Sequence, residues 1–569
     1  MAAIGIDLGT TNSCACVWKN GKTELVPNKT GKFLTPSAVF VDNGTSVVGD
    51  IAAERLITDP DQATAEFKRL MGTGIKTNLD GIDYKPEELS AMVLSSLVSD
   101  SERHTGEGID EVVISVPAYF DSTKRSATKN AARLAGLNCK RLINEPSAAA
   151  LAFLEEHGFI EGTFLVIDFG GGTLDVSLVD SFDNVIEIVA VSGNTVGGKD
   201  INEAIFREFL RYNELTDIDL TPEEKASLYR LSEKAKIAIS DAPEYEMILN
   251  TDDKTYTMTL TEETLKKISE HILKTMDAPI RRVLHDGKIM PNEITDLILI
   301  GGTCKMPIVR EYLSDLFGRD IKLLTDPETA VARGAAIFSG KMIGEKNLQE
   351  IVMTDVCPFS LGIRATDAAT GETYISFLIP RNTPLPTSKV RSYYATVENQ
   401  VRFTISIRQG ESVIPALNQE IAYMEVPTPK CNVYDFLGDV RFTYDINGLL
   451  LVDVTTSDGQ TFSKEIISEG CTIEPGEYDI IKKKLEALRE REVDDEDIPY
   501  LNAKCERMIQ ESVGARRDMI ISRQREFMTA IAKANPHKIR AEKDKFMKFL
   551  NELESDDLGL ALPGEDDES

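Results

Sequence analysis

One short motif occurs twice in this chain of 569 residues, first at residues 4–11 and again at residues 166–173. Each copy has an apolar strand that ends in Asp, a glycine turn, a Thr and a second alternating strand. The glycines let backbone N–H groups approach an anion, the Thr hydroxyl adds a donor, and the Asp carboxylate can hold a hydrated metal ion. One copy alone would favour an ordinary hairpin turn. Two matched copies predict two related α/β lobes around a cleft that holds one nucleoside triphosphate.

The composition limits the class of protein. The length allows three or four domains, because single hydrophobic cores stop growing near about 250–300 residues. The formal net charge of −30 disfavours binding to a phosphate backbone. Eight cysteines are scattered without a CxxC pair, and the first residues show neither a signal peptide nor a membrane span. These features predict reduced thiols and a cytoplasmic protein.

The spacing of apolar residues changes along the chain. Apolar runs alternate with helical segments over residues 1–344, which predicts an α/β domain, and residues 345–355 form a short join with a small apolar cluster. Short alternating runs and turn signals over residues 356–471 predict an antiparallel β-sandwich. Periodic apolar positions predict helices over residues 472–551, and an acidic composition predicts a disordered tail over residues 552–569.

Four further motifs complete the pattern. They are Lys-Arg-Leu at residues 68–70, Val-Pro-Ala-Tyr-Phe at 116–120, Asn-Glu-Pro at 144–146 and Gly-Gly-Thr-Cys-Lys-Met-Pro at 301–307. Taken singly, a cation pair is usually a solvated face, and a Glu at a helix start usually complements the helix dipole. In this order and with the two hairpins, the motifs resemble those of the seventy-kilodalton heat-shock chaperones, the DnaK family. Within that family the chain is most similar to the bacterial HscC branch.

The resemblance implies a multidomain fold with an actin-like α/β ATPase domain of two duplicated lobes, an antiparallel β-sandwich peptide-binding domain and a short α-helical lid. It implies an ATP-dependent chaperone that binds exposed segments of unfolded or specific client polypeptides. Hydrolysis of ATP to ADP and phosphate would be coupled to capture, with Mg²⁺ and K⁺ as the bound ions. A J-domain co-chaperone and a nucleotide-exchange factor are the implied partners, with no nucleic acid and no membrane.

A small-molecule kinase of the actin-like superfamily is the alternative, because sugar kinases share the duplicated clamp. Such a kinase needs a carboxylate base that faces an acceptor hydroxyl. It has no use for the sandwich and the helices that follow residue 355, so these segments favour the chaperone.

The resemblance also implies roles for individual residues of the cleft. Lys68 would position the attacking water and stabilise charge on the γ-phosphate, with Glu145, Asp175 and Thr173 as further catalytic residues. Asp7 and Asp168 would hold the hydrated metal ion. Phosphate contacts are implied for Thr10, Thr11, Asn12, Gly170, Gly171, Gly172, Thr173, Gly197 and Gly198. Nucleoside contacts are implied for Glu233, Lys236, Ser240, Gly301, Gly302 and Lys305.

Residues outside the cleft match other functional positions of the family. Pro117, Arg125 and Asp355 match positions that report the nucleotide state to the rest of the chain. Arg141 and Asn144 match the surface for the J-domain co-chaperone. The peptide groove is implied at Ile363, Thr366, Tyr393, Tyr394, Thr396, Phe403 and Ile405.

Three features depart from the family pattern. Lys305 stands where an Arg usually stacks on adenine, which lowers the expected nucleotide affinity. Ile-Val-Met-Thr at residues 351–354 replaces a Val-Leu-Leu-Leu linker, so weaker docking is expected. Phe403 replaces a small aliphatic residue in the central peptide pocket, where its ring is expected to exclude Leu side chains.

Overall fold

The computed structural model describes residues 3–557 except residues 110, 159, 217, 252–253, 322–325, 346–347, 467–474, 491–496, 513 and 534–535. Up to residue 157 the helices and strands are β1 (Ala3–Asp7), β2 (Asn12–Lys19), β3 (Lys22–Leu25), β4 (Thr35–Pro36), β5 (Ala38–Asp42), β6 (Thr45–Val48), α1 (Asp50–Thr58), β7 (Ala63–Ala65), β8 (Thr77–Leu79), β9 (Ile82–Tyr84), α2 (Pro86–Thr105), β10 (Glu111–Val116), α3 (Ser122–Leu134), β11 (Asn138–Asn144) and α4 (Glu145–His157).

The elements that follow, up to residue 354, are β12 (Gly162–Phe169), β13 (Leu174–Phe182), β14 (Val185–Asn194), α5 (Gly198–Tyr212), α6 (Pro222–Ala238), β15 (Glu244–Asn250), β16 (Thr255–Thr261), α7 (Glu262–Lys274), α8 (Asp277–Gly287), β17 (Asp296–Ile300), α9 (Pro307–Phe317), α10 (Ala330–Met342) and β18 (Val352–Thr354). Short 3₁₀ helices lie at Phe67–Leu70, Pro291–Glu293, Gly302–Lys305 and Pro415–Leu417.

The remaining elements are β19 (Leu361–Thr366), β20 (Thr373–Ile379), β21 (Thr387–Tyr394), β22 (Gln400–Gln409), β23 (Gln419–Cys431), β24 (Phe436–Tyr444), β25 (Leu450–Thr456), β26 (Thr461–Glu465), α11 (Pro475–Ala487), β27 (Arg489–Glu490), α12 (Asp497–Glu511), α13 (Gly514–Lys533) and α14 (Pro536–Asp557).

Two mixed sheets share one strand arrangement. The first sheet has the order β11-β10-β1-β2-β3 and the second has the order β17-β12-β13-β14-β18. In each sheet an antiparallel hairpin, β1–β2 or β12–β13, pairs on its other side with a parallel strand, β10 or β17. Leu165, Val166 and Ile167 of β12 are all buried, as expected for a strand that is covered on both faces. The two glycine turns therefore lie at equivalent places in two similar sheets.

Helices α4 and α10 pack against each other between the two sheets. The apolar cluster around them takes Val113 and Ile143 from the first sheet and Val166 and Ile298 from the second. A run of alanines in each helix, at residues 148–150 in α4 for example, permits this close packing. The cleft lies where β1, β12 and β17 end.

The linker between the α/β part and the sandwich packs its apolar cluster into the α/β core. Strand β18 pairs in parallel with the edge strand β14, with Val352 opposite Val185 and Thr354 opposite Glu187. Ile351 is buried with the residues of β12, whereas Val352 is 49 % exposed. Thr354 thus occupies a strand position, although it departs from the family's apolar pattern.

Residues 361–465 form a sandwich of two four-stranded antiparallel sheets. The strand orders are β20-β19-β22-β23 and β21-β24-β25-β26. Inward and outward residues alternate along the strands, so that Val440, Phe442 and Tyr444 of β24 are all buried in the core between the sheets.

The C-terminal helices pack on the α/β part and on one another. Helix α11 lies against α2 and α3, and the Tyr478 hydroxyl donates a hydrogen bond to the carbonyl oxygen of Arg133 at 2.8 Å. Helices α12, α13 and α14 share a core in which Phe527 stacks on Phe546 at 4.3 Å. Helix α14 continues to Asp557, so the predicted disorder of residues 552–557 is wrong, because Leu553 belongs to this core. Residues 558–569 lie outside the described part of the chain.

The structure bears on two predictions about the whole chain, the absence of a membrane span and the reduced state of the cysteines. Within the described residues no helix combines the length and apolar character needed to cross a bilayer. The seven cysteines of the described part are unpaired, which fits the predicted thiols, and Cys471 lies outside that part.

Candidate functional site

A cavity of about 750 Å³ lies between the two glycine turns. The structure brings most of the predicted cleft residues together around it. Those that line the cavity are Asp7, Thr10, Thr11, Asn12, Lys68, Glu145, Asp168, Gly170, Gly171, Thr173, Glu233, Lys236, Ser240, Gly301, Gly302 and Lys305. Asp175, Gly172, Gly197 and Gly198 are not part of the lining and lie behind it. A nucleoside triphosphate is of suitable size for a cavity of this volume.

One lysine forms a buried ion pair in the wall of the cavity. Lys68 lies in the short 3₁₀ helix Phe67–Leu70, and its ammonium donates to Glu145, the first residue of α4, at 2.9 Å. The side chains of both residues are 8 % exposed. Burial acts to lower the pKa of Lys68, but the neighbouring carboxylates Glu145 and Asp7 outweigh it and raise the pKa. Lys68 is therefore a fixed cation at the bottom of the cleft.

Three aspartates surround this pair. Burial, helped by the charge of Glu145, raises the pKa of Asp7 to about 6 and that of Asp175 to about 7. The same two causes hold the pKa of Asp168 well above its usual range. Asp168 and Asp175 are directly opposite each other in the β12–β13 hairpin, while Asp7 accepts a hydrogen bond from Ser115 at 2.6 Å. Two buried carboxyl groups, Glu145 and Asp175, and two half-buried ones, Asp7 and Asp168, thus share one ammonium.

This excess of negative charge fits a bound cation. A cation beside Asp7 and Asp168 would favour their ionised forms. In the described part of the chain no three His, Cys, Asp or Glu side chains converge closely enough to coordinate an ion alone. A hydrated Mg²⁺ needs only one or two carboxylates, because water and phosphate oxygens supply its other ligands. The residues therefore fit Mg²⁺ held together with a nucleotide.

The two glycine turns present donors to the cavity. Thr11 has a buried hydroxyl oxygen that finds no hydrogen-bond partner among the described residues, although it lines the cavity. Buried polar atoms are nearly always paired, so this hydroxyl is suited to a ligand oxygen. On the second turn the N–H of Gly170 is already bonded to the carbonyl oxygen of Thr173 at 3.1 Å. The first turn thus offers a free side-chain donor that the hairpin does not itself use.

Gly172 and Gly197 allow close packing of neighbouring segments and do not line the cavity. A Cβ on Gly197 would collide with the backbone of residues 171–172, and a Cβ on Gly172 would meet the guanidinium of Arg69. The side chain of Lys236 supports the same region by donating to the carbonyl oxygen of Gly198 at 3.1 Å. These contacts hold the start of α5 against the second turn.

The opposite end of the cavity is built from α6 and from the turn after β17. Glu233 and Lys236 lie on α6, and Ser240 follows its last turn. Gly301 has φ +85°, and a Cβ there would lie 2.6 Å from the carbonyl oxygen of Phe169, so only glycine fits. The ammonium of Lys305 is paired with the carboxylate of Glu328.

Sequence reasoning missed several residues of this end. Arg310 of α9 lines the cavity, and its buried Nε has no hydrogen-bond partner within the described residues. Ile237 of α6 lines the same cavity and is 58 % exposed. Lys199 also lines it and pairs with Glu66. The sequence could have indicated Arg310, because this residue lies one helical turn after Met306-Pro307, where the helix that follows the Gly-Gly motif begins.

Pro117 and Arg125, which are predicted to report the nucleotide state, belong to a continuous set of contacts with the sandwich. The guanidinium of Arg125 donates to the side chain of Asn144 at 2.7 Å and to the carbonyl oxygen of Asn447 at 3.4 Å. Asn447 in turn accepts from the N–H of Leu142 at 3.1 Å. Pro117 is buried two residues before Tyr119, whose ring contacts Phe359 at 4.6 Å.

Asp355 lies at the centre of a second group of contacts. Its carboxylate accepts from the Ser147 hydroxyl at 2.7 Å and lies 3.6 Å from the guanidinium of Arg141. Arg141 also donates to the carbonyl oxygen of Ile446 in the sandwich. Of the two predicted co-chaperone residues, Arg141 is therefore in contact with the sandwich, whereas Asn144 is bonded to Arg125.

The predicted groove residues divide into two environments. Ile363, Phe403 and Ile405 are buried in the core between the sheets of the sandwich. The ring of Phe403 lies 5.9 Å from that of Tyr393. The others are partly or fully exposed: Thr366, Tyr393, Tyr394 and Thr396. Phe436, which is 40 % exposed, lies beside Tyr394, with 6.2 Å between the two ring centroids.

The comparison with known families covers nearly the whole chain. A sequence model described as Hsp70 protein matches residues 3–558. The match includes the sandwich and the C-terminal helices as well as the cleft, and it favours a chaperone over a small-molecule kinase. Proteins of this family are ATP-dependent chaperones that bind and hydrolyse nucleotide, typically with Mg²⁺. The chain belongs to the Hsp70 family.

Proposed function

We propose that this chain is a chaperone of the HscC type in which ATP hydrolysis in the cleft controls capture and release of a peptide by the sandwich. The proposed units are an ATPase domain at residues 1–344, a linker at 345–355, a peptide-binding sandwich at 356–471 and a helical lid at 472–551. The unpaired cysteines of the described part support a cytoplasmic location.

The observation that carries the proposal is a short path from the cleft to the sandwich. Glu145, which accepts from Lys68, follows Asn144 directly in the chain. Asn144 accepts from Arg125, and Arg125 reaches the carbonyl oxygen of Asn447 in the sandwich. A change in charge beside Lys68 would therefore act one peptide bond away from Asn144 and, through Arg125, on one of the contacts with the sandwich.

The residues of the cleft support hydrolysis. Bound ATP would supply the phosphoanhydride bond that is cleaved, and Mg²⁺ would neutralise charge on its phosphates. Lys68 would stabilise charge that develops on the transferred phosphoryl group, because it is a buried cation whose position is fixed by Glu145. Glu145 and Asp175 would orient water, and the hydroxyl of Thr173 would contact phosphate. Asp7 and Asp168 would hold the hydrated Mg²⁺, with K⁺ as a further proposed ion.

The docked arrangement is proposed to be the one that ATP favours. β18 extends the second sheet, and the sandwich loop at residues 445–449 contacts α3 and β11. A J-domain co-chaperone would act before hydrolysis, at the surface of Arg141 and Asn144, and promote it. After hydrolysis the linker and sandwich would separate from the ATPase domain. Clients are proposed to be extended peptides, with exchange of ADP, aided by an exchange factor, leading to release.

The test is ATP turnover by the full chain with and without partners. We expect slow basal turnover that rises when an unfolded peptide panel and a J-domain are added. A chain that binds labelled ATP but neither hydrolyses it nor responds to these partners would contradict the proposal. Phosphate release and linker protection should be measured in the same samples, so that hydrolysis and docking are assessed separately.

A further inference from the structure

A buried group of charges joins the C-terminal helices to both sides of the cleft. Arg507 of α12 is fully buried and pairs with Glu54 of α1 and, at 2.7 Å, with Glu554 of α14. Arg230 of α6 lies 3.4 Å from Glu54 and 3.9 Å from Glu554. Lys504 of α12 is 2.7 Å from Glu554. We call these five residues the C-terminal charge cluster.

Helix α6 connects the cluster to the cavity. Glu233, Lys236 and Ser240 at its C-terminal end line the cavity. Arg230 and Lys234, which lie one turn apart on a helix face, point instead to Glu554, at 3.9 and 4.0 Å. A movement of α6 away from the C-terminal helices would therefore displace the residues that line one end of the cavity.

Apolar contacts fix the C-terminal helices to α1 rather than to α6. Tyr500 and Ala503 of α12 are buried in one cluster with Ile51 and Ala52 of α1. Met547 of α14 packs against the same cluster. By contrast, the contacts described between α6 and these helices are ionic. Separation of α6 from α1 would thus break the charge cluster and leave the apolar contacts intact.

Glu554 is the carboxylate on which the cluster depends. Burial acts to raise the pKa of Glu554, but Arg507 and Lys504 outweigh it and hold the pKa well below the usual range. Without its charge, Lys504 and Arg507 would lose the carboxylate that lies 2.7 Å from each of them. Removing one member of a buried ion pair is strongly unfavourable, because the partners stay desolvated without compensation.

We infer that the C-terminal helices hold α6 against α1 and thereby slow the release of nucleotide from the cavity. Glu554 is then a positioning residue, which acts on the nucleotide through α6. This inference rests on the proposed function, since it assumes that the cavity binds a nucleotide. It adds a direct control of nucleotide release by the helical end of the chain, independent of the sandwich.

The test compares two glutamates of one helix in the full chain. Glu554→Gln removes the cluster's carboxylate, and Glu552→Gln is the control, because Glu552 is exposed and pairs with Lys548 at only 3.9 Å. Release of a fluorescent, non-hydrolysable ATP analogue should be about tenfold faster from Glu554→Gln, the change expected when about 1.4 kcal/mol of stabilisation is lost. Glu552→Gln should release it at the wild-type rate. Hydrolysis of prebound ATP in a single turnover should stay within about twofold of wild type, since Lys68 and Glu145 are unchanged.

Three measurements separate positioning from a general structural role. Added salt should accelerate release from wild type more than from Glu554→Gln, because the charges are screened. Glu554→Asp should restore slow release in part. In a double-mutant cycle the changes Arg230→Gln and Glu554→Gln should be non-additive.

Equal release of the ATP analogue from the two glutamine variants would overturn the inference, as would additivity in the cycle. If the chain bound no labelled nucleotide at all, the proposed function would fail. The contact could then still be tested by hydrogen exchange of residues 222–238 without nucleotide. Faster exchange in Glu554→Gln than in Glu552→Gln would support the contact, and equal exchange would reject it.

Discussion

Asp175→Asn is expected to stabilise the nucleotide-free protein at alkaline pH. Asp175 is 3 % exposed, and burial together with the charge of Glu145 raises its pKa from the usual 3.8 to about 7. The folded protein therefore keeps a proton that the unfolded chain loses near pH 4. The stabilisation from this group is fully present below pH 3.8 and is lost as the pH rises through about 7.

The size of the effect follows from the pKa shift. Between pH 5 and pH 8 the wild type should lose on the order of 3 kcal/mol through Asp175, since each unit of pKa shift corresponds to about 1.4 kcal/mol. The asparagine variant cannot titrate there, so its advantage over wild type should grow by this amount over the same interval. A change of that size moves an unfolding midpoint by several degrees.

The assay is thermal unfolding of the full chain without nucleotide at pH 5 and pH 8. The quantity measured is the midpoint of the transition in which the part of the chain that contains the cleft unfolds. Asp61→Asn serves as the control, because Asp61 is exposed and does not line the cavity. Its midpoint should follow that of wild type at both pH values. An Asp175→Asn advantage that is equal at pH 5 and pH 8 would refute the reasoning, since it would show that Asp175 has no raised pKa.

Four further outcomes are expected. Lys68→Ala should lower ATP turnover by at least about 100-fold, with ATP affinity changed only a few-fold, because the cation acts mainly on the transition state; unchanged turnover would contradict this role. Hydrogen exchange of the linker at residues 348–356 should be slower with ATP than with ADP, and equal exchange would reject nucleotide-dependent docking. Phe403→Val should increase binding of a Leu-rich peptide in ADP, measured by fluorescence titration, while destabilising the sandwich by about 1–3 kcal/mol; equal binding by wild type would show that the ring does not block the pocket. We expect the planar guanidinium of Arg310 to contact the base. ATP binding measured by calorimetry should then be about three- to tenfold weaker in both Arg310→Gln and Arg310→Lys. Full affinity in the lysine variant would show that charge alone suffices.

The sequence predicted the glycine hairpins well because their geometry is local. Strands β1–β2 and β12–β13 flank the two turns at the predicted residues, and the aspartates that end the first strands point to one cavity. The motif order likewise identified Lys68 and Glu145, which meet although 77 residues separate them. Such pairs were accessible only through the family resemblance, since spacing alone does not bring them together.

Other parts of the site depend on packing that no local pattern records. Arg310 and Ile237 reach the cavity because α9 and α6 pack beside it, and each resembles an ordinary helix residue in the sequence. Gly172 was expected at a phosphate, but it is covered by Arg69 from another segment. The end of α14 was missed because its acidic composition suggests disorder, whereas the cations that neutralise Glu554 come from α6 and α12.

The pairing of β18 with β14 has a consequence for solubility. β14 is the edge of the second sheet whenever the linker is absent, and its N–H and C=O groups opposite residues 352–354 then lose their partners. Val185 and Ile186 lie in that stretch, and an open edge with such residues is a template for pairing with another extended chain. The linker therefore shields part of an aggregation-prone edge while it is docked, at three paired positions of β14.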